Sequence, residues 1–124
     1  MGSVRVRRAK ADDALVVAAL RLQAARAAGA GAEPGFLDRF AAAWDPDEHP
    51  TWVAECDGVH VGLLLTQVVR DLPWPGLAPG QSLHVTTLHT VAAGVPVEVE
   101  AEVAPALTTA MRDWARGRGL AVLA

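Results

Sequence analysis

The sequence predicts an α/β (α+β) fold, in which strands and helices alternate along the chain. Residues 51–65 contain two apolar segments on either side of Asp57-Gly58, a dipeptide typical of a tight hairpin turn. Apolar residues recur at helical spacing before this hairpin and again after residue 105. Short alternating or apolar stretches at both ends of the chain predict further strands.

Composition limits the classes of protein to consider. The chain has 124 residues, of which 52% are hydrophobic and 20% charged, and its formal net charge is −3. A length of this order predicts a single domain, residues 1–124, with one core. The acidic balance gives no electrostatic basis for binding nucleic acid. Because Cys56 is the only cysteine, an internal disulfide is excluded.

The sequence pattern predicts neither a membrane span nor a signal peptide. The longest apolar stretches, such as residues 61–65 and 120–124, are far shorter than the roughly 20 residues that cross a bilayer. The first residues alternate valine and arginine and lack the apolar segment of a signal peptide. We therefore expect no membrane span and a cytoplasmic location.

The first strand and helix follow from simple patterns. Residues 3–9 alternate, which predicts a half-buried strand with the arginines facing water. Asp12 is expected to cap the following helix, which ends near Gly29. Five apolar residues at helical spacing are predicted to form its buried face: Leu15, Ala18, Ala19, Leu22 and Ala25.

A second helix is predicted after Pro34 and ends at Asp45-Pro46. Phe36, Phe40 and Trp44 lie four residues apart and therefore share one face of it. The favoured interpretation is that these aromatic residues belong to the core. The alternative is that they form one wall of a substrate cleft.

A proline-rich loop over residues 71–80 contains Trp74 between Leu72 and Leu77. The favoured interpretation is that Trp74 folds back as a lid over the core, because large exposed apolar patches are uncommon. Trp74 could instead line a ligand or partner surface. Residues 82–91 then resume a strand pattern.

The segment of residues 95–103 alternates small apolar residues with Pro96, Glu98, Glu100 and Glu102. This alternation favours an exposed edge strand over a dedicated binding site. A long helix is predicted from Pro105 to Gly117, and residues 120–124 form a last apolar strand. Because an uncovered apolar strand invites association, we expect a homodimer or a rearranged strand to cover it.

The order of these elements resembles the GCN5-related N-acetyltransferase (GNAT) superfamily. Two stretches carry the resemblance: the hairpin of residues 52–62, with its acidic-Gly turn and Gly62 in the second strand, and residues 111–120, where a long helix runs into a strand. The resemblance implies a mixed, mostly antiparallel central sheet flanked by helices. By this resemblance, the sheet of residues 1–124 is expected to lack the additional C-terminal helix and strands that usually complete it.

The resemblance also implies a cofactor, acetyl-CoA, and a primary amine as acceptor. Backbone groups of Leu88, His89, Thr90 and Val91 would hold the thioester and the pantetheine arm. The superfamily wraps the pyrophosphate with an Arg or Gln, a Gly three residues later, and a Gly or Ala two residues after that.

Two alignments of this pattern are available. Counting back from Trp114 gives Val99, Glu102 and Ala104, of which only Ala104 matches, and counting forward from Val91 gives Val95, Glu98 and Glu100. In either alignment a glutamate replaces a glycine, and its charge repels phosphate. The tyrosine that often serves as the acid is also missing, since the chain has no tyrosine.

Amine acetylation needs a base, and Glu55, His84 and His89 are the candidates. Each has a structural alternative: Glu55 as a solvated strand residue, and each histidine as a structural strand residue. The histidines are an odd number of residues apart, so they are predicted on opposite faces and no metal site is expected. Cys56 has no nearby basic residue and is expected to be inert.

Two functions remain open at this stage. The first is an N-acetyltransferase that moves the acetyl group of acetyl-CoA to a small-molecule amine. The second is a degenerate relative that acts as a dimeric binding or interaction module without CoA. An unrelated α+β domain without a small-molecule role is a third possibility.

Overall fold

The computed structural model describes residues 2–31, 33–77 and 80–123 and contains one five-stranded sheet. The strands are β1 (Arg5–Arg8), β2 (Thr51–Cys56), β3 (Val59–Arg70), β4 (Gln81–Thr90) and β5 (Ala121–Leu123). The helices are α1 (Ala14–Ala27), preceded by a 3₁₀ turn (Ala11–Asp13), α2 (Phe36–Ala43) and α3 (Val97–Gly117).

The strand order in the sheet is β1-β2-β3-β4-β5. The first three pairings are antiparallel, whereas β4 and β5 are parallel because α3 crosses between them. The predicted α+β fold with a mixed, mostly antiparallel sheet is therefore confirmed.

The sheet separates two apolar clusters. Helix α3 covers one face, where Val103 and Leu107 pack with Trp52 and Leu64. Helices α1 and α2 cover the other face, where residues such as Val17 pack with Val53, Leu63 and Leu65. The alternation of side chains along each strand decides which cluster a residue joins.

The hairpin between β2 and β3 forms as the sequence predicts. Asp57 and Gly58 both have positive φ, 51° and 79°, which is the backbone conformation of a two-residue hairpin turn. Gly62 then allows α3 to approach the sheet, since a Cβ atom there would clash with Val103.

The buried face of α1 differs from the prediction. Val17, Ala18 and Leu20 are buried, whereas Leu15 is 60% exposed and Ala19 also faces solvent. The prediction holds for Ala18 and was wrong for Leu15 and Ala19, because nearly every position in the first half of this helix is apolar. Without a polar face, the sequence does not indicate which side packs on the sheet.

The segment that alternates valine and glutamate is the first part of α3 and not an edge strand. Val99, Val103, Leu107 and Met111 are buried and lie four residues apart, so they form one helical face. Alternation places apolar residues at both two- and four-residue intervals, which is why the strand interpretation was wrong. Pro105 lies inside α3 rather than at its start.

The loop after β3 does not fold over the core. Trp74, Leu72 and Leu77 are 71%, 89% and 68% exposed, so the lid interpretation is wrong. Within this loop, Ala78 and Pro79 lie outside the described residues, as does Ala124 beyond β5. In the part of the chain that is described, no helix is long and apolar enough to span a membrane.

Candidate functional site

An extra residue interrupts the pairing of β4 with β3. Leu65 pairs with Thr87 and Thr66 pairs with Val85, so Thr86 has no partner in the register and forms a bulge. The Thr86 hydroxyl donates a hydrogen bond to the carbonyl of Leu65 at 3.2 Å, which holds the bulge in place.

The bulge changes which side chains share a face. His84 pairs with Gln67 and His89 with Leu63, and these two β3 residues are four apart, so both histidines face α1 and α2. The prediction that they lie on opposite faces is wrong, because it assumed an unbroken alternation. Among the described residues, no group of three or more His, Cys, Asp and Glu could hold a metal ion.

Beyond the bulge, β4 has one edge without a strand partner in the described ranges. β5 pairs with Ser82, Leu83 and His84 only. On the other edge the N–H of Val91 donates to the carbonyl of Val61 at 2.8 Å. Backbone groups alternate between the two edges, so those of Leu88 and Thr90 point to the open edge and those of His89 and Val91 point to β3.

His89 is half-buried beside this edge. Burial lowers the pKa of its imidazole below the ordinary value of 6.5, because the charged form loses solvation. The ring is therefore neutral at pH 7 and able to accept a proton. His84 lies near the other end of β4, where its Nε2 is 3.3 Å from the hydroxyl of Ser82.

Glu55 faces the same side of the sheet as the two histidines, but on β2. Its carboxylate is 3.1 Å from Arg7 Nε and 3.2 Å from His60 Nε2. Arg7 also binds Asp13 at 2.7 Å, so Glu55 belongs to a surface network that joins the sheet to the start of α1. β3 separates this network from β4.

A cavity of about 170 Å³ lies between α1, α2 and the bulge, and Arg21, Phe40, Trp44, His49 and Thr86 contribute to its lining. The Arg21 guanidinium donates to the Thr87 hydroxyl at 2.7 Å. Trp44 is only 8% exposed and belongs to the core. Trp44 therefore fits the core interpretation of the aromatic stripe, and the substrate-cleft alternative stays a prediction.

Helix α3 begins directly after the turn that follows β4. The Val95 N–H donates to the carbonyl of Ala92 at 3.2 Å, and Pro96 is the N-cap residue. The first bond within the helix runs from the Glu100 N–H to the Pro96 carbonyl at 2.9 Å. The N–H groups of residues 97–99 are therefore left without partners inside the helix.

Two carboxylates, those of Glu98 and Glu100, occupy the first turn of α3. They stabilise the helix through its dipole, but they add negative charge where the free N–H groups would attract an anion. Ala104 lies in the third turn of α3, where its N–H belongs to the helical ladder. Of the two alignments of the pyrophosphate pattern, the one that starts at Val95 therefore lies nearer to the helix start.

Comparison with known proteins depends on structure, because no protein-family model and no curated protein matches the sequence. A predicted acetyltransferase with acetyl-CoA from Clostridium acetobutylicum is 12% identical, with a TM-score of 0.70 over 98% of this chain and 80% of that chain. An aminoglycoside acetyltransferase from an uncultured soil metagenomic sample is 13% identical, with a TM-score of 0.72 over 98% and 77%.

A GCN5-related N-acetyltransferase from Ralstonia eutropha is 20% identical, with a TM-score of 0.70 over 98% of this chain and 84% of that chain. The chain has the GNAT fold. At these identities the likeness establishes the fold alone. Within this GNAT fold, sequence reasoning missed the bulge at Thr86 and the place of Arg21 beside Thr87, because neither leaves a periodic signal in the sequence.

Proposed function

We propose that the chain is an N-acetyltransferase that moves the acetyl group of acetyl-CoA to a primary amine. The observation that carries the proposal is the open edge of β4 after the bulge, where the backbone groups of Leu88 and Thr90 have no strand partner among the described residues. The three solved structures named above are described as acetyltransferases, and one of them is described with acetyl-CoA.

The pantetheine arm of the cofactor contains amide groups that can hydrogen-bond to a strand edge. Leu88 and Thr90 each direct a backbone N–H and carbonyl toward the open edge of β4, and Leu88 is 48% exposed. The backbone groups of His89 and Val91 point to β3 and cannot bind the cofactor. These two residues could contact it only through their side chains. Ala104 lies too far along α3 to donate its N–H to the cofactor.

His89 is the base in this proposal. An acceptor amine is protonated at neutral pH and must lose a proton before it attacks the thioester. His89 is neutral for the reason given above, and it lies on the face of β4 that α1 and α2 cover. Glu55 and His84 remain alternative bases, the first tied to Arg7 and His60 and the second beside Ser82.

Release of the CoA thiol in the presence of a panel of primary amines tests the activity directly. We expect His89→Gln to lower kcat by about 10²-fold or more, with a smaller change in KM. His84→Gln is the comparison variant, because it changes a histidine of the same strand and face before the bulge and tests the alternative base there. Equal loss in both variants, or no turnover with any amine, would contradict this assignment.

Binding is mapped separately by amide chemical shifts during an acetyl-CoA titration. The proposal predicts that the largest changes fall on residues 87–91 and that β1 is unaffected. Saturable binding without turnover would support the proposed cofactor site and contradict the proposed acetyl transfer. An absence of shifts at millimolar acetyl-CoA would contradict both.

A second candidate is an interaction module without CoA, and the acidic first turn of α3 favours it. Leu88 and Leu123 are 48% and 45% exposed near the β4 and β5 edge, where a second copy of the chain could pair. Sedimentation equilibrium tests this candidate. A dimer that Leu88→Lys dissociates, together with no acetyl-CoA binding, would support it, and a monomer at high concentration would exclude the homodimer.

A further inference from the structure

A second cavity of about 360 Å³ lies at the opposite end of α3 from the proposed cofactor site. Its lining includes Arg8 from the end of β1, Arg70 from the end of β3, Gln81 from the start of β4, Trp114 from the last turns of α3 and Arg118, the C-cap residue of α3. Helix α3 has 21 residues. At 1.5 Å per residue it is about 30 Å long, so the two sites are well separated.

Two arginines stack on Trp114. The Arg8 and Arg118 Cζ atoms lie 4.7 Å and 4.6 Å from the centre of the indole ring. Trp52 supports the indole from inside the core, with ring centres 5.5 Å apart at 73°. The Arg8 guanidinium also donates to the carbonyl of Pro46 at 3.2 Å. Stacking occupies a face of each guanidinium and leaves N–H groups on its edge for a ligand.

Charge in this cavity is opposite to that of the whole chain. Arg70 is paired with Glu48 through two hydrogen bonds of 3.1 and 3.2 Å, which neutralise it. Neither Arg8 nor Arg118 has an ion-pair partner among the described residues, and Asp47 is the one carboxylate in the lining. A chain of net charge −3 thus places two guanidinium groups without ion-pair partners at one cavity, where they outnumber the single carboxylate of Asp47.

We propose that this cavity, the Trp114 cavity, binds a small molecule that carries a phosphate group. Arginine edges match phosphate oxygens in a bidentate geometry, and Gln81 adds a further polar group. A volume of about 360 Å³ exceeds what a free phosphate fills, so the phosphate is attached to an organic group that contacts Trp114. The proposal does not depend on acetyl-CoA binding, because the cavity shares no residue with the β4 edge.

Titration with glycerol 3-phosphate, inorganic phosphate and glycerol tests the proposal, at constant ionic strength. The Trp114 indole N–H resonance, assigned with Trp114→Phe, reports binding. We expect glycerol 3-phosphate to shift this resonance in a saturable way, inorganic phosphate to bind more weakly, and glycerol to have no effect. If inorganic phosphate bound as tightly as glycerol 3-phosphate, the proposal that the ligand carries an organic group would be wrong.

Variants separate a built site from general attraction to positive charge. Arg118→Gln is expected to weaken glycerol 3-phosphate binding by roughly tenfold or more, because it removes one charged partner of the phosphate. Arg116→Gln is the matched control, since Arg116 lies in the same helical turn, is 79% exposed, and is outside the cavity lining. Equal weakening by both variants, no weakening by Arg118→Gln, or an unchanged Trp114 resonance in the wild type would overturn the proposal.

Discussion

Gly62 of β3 lies directly beneath Val103 of α3. A Cβ atom on Gly62 would fall well inside contact distance of Val103 Cγ1, and it would lie 3.1 Å from Leu107 Cδ1 and 3.2 Å from the His89 carbonyl. The absent side chain therefore sets how closely α3 approaches the sheet and β4.

Gly62→Ala is expected to lower the free energy of unfolding by about 1–3 kcal/mol, because α3 must shift to admit the methyl group. Urea denaturation measures this change. Gly31→Ala is the control, since a Cβ atom there has no neighbour within 4 Å. Pairing Gly62→Ala with Val103→Ala should restore part of the loss, and an additive loss in the double variant would contradict the close approach.

The buried hydroxyl of Thr51 connects Trp44, the C-cap residue of α2, with His49 in the loop before β2. It accepts a hydrogen bond from Trp44 Nε1 at 3.1 Å and donates to the His49 carbonyl at 2.6 Å. Thr51→Val keeps the shape but leaves both partners unsatisfied, so we expect a loss of about 1–3 kcal/mol in thermal or urea unfolding. Thr51→Ser retains the hydroxyl and should lose less than Thr51→Val. Equal losses would assign the effect to packing.

Asp13 ties the start of α1 to β1 through Arg7, at 2.7 and 3.0 Å, and accepts the Lys10 N–H at 2.8 Å. The Arg7 guanidinium lowers the pKa of Asp13. A folded pKa below the unfolded value of about 3.9 adds stability that is present above that value and is lost as pH falls through the folded pKa.

We therefore expect Asp13→Asn to reduce the free energy of unfolding at pH 7 by up to about 1 kcal/mol, since Arg7 is partly exposed. The difference from the wild type should shrink in acid. Denaturation curves between pH 7 and pH 2 measure it, with Asp12→Asn as the control for charge alone. A difference that stays constant across this range would contradict the ion-pair account.

His89 provides a test of the proposed base that needs no substrate. Its pKa is lowered by burial, so its imidazole should titrate below 6.5. The Cε1 proton shift of His89, assigned by its absence in His89→Gln, follows the titration by NMR. A midpoint at or above 6.5 would show that the ring is solvated and would remove the physical argument for a neutral base.

The sequence predicted features that depend on local chemistry. The prediction of the Asp57-Gly58 turn was correct because positive φ selects these residues, and the last apolar strand also forms, as β5. The predicted start of α3, at Pro105 and not Val97, was wrong, and so was part of the predicted buried face of α1. In both cases the apolar pattern fitted more than one arrangement, and tertiary packing chose between them.

The candidate site was less predictable than the fold. The bulge at Thr86 reverses the face of every later residue in β4, and nothing in the local sequence marks it. Exposure of Trp74 also contradicted a general expectation about apolar residues. The contacts of Arg8 and Arg118 with Trp114 join segments that are distant in sequence and could not be inferred from spacing.

Glu98 and Glu100 place two negative charges in the first turn of α3, where the diphosphate of acetyl-CoA would lie under the proposed function. Two like charges about 4 Å apart cost about 4 kcal/mol at an effective dielectric constant of 20, and solvent and salt reduce this cost. Removing both charges should therefore raise the affinity for acetyl-CoA. The affinity for a thioester without a diphosphate should not change.

The most direct measurement is calorimetric titration of acetyl-CoA and of acetyl-pantetheine into the wild type and Glu98→Gln/Glu100→Gln, at low and high salt. Asp12→Asn/Asp113→Asn is the control with the same charge change elsewhere. We expect the glutamate variant to bind acetyl-CoA roughly tenfold more tightly at low salt, with a smaller gain at high salt and none for acetyl-pantetheine. Unchanged acetyl-CoA affinity, or an equal gain in the control variant, would contradict it.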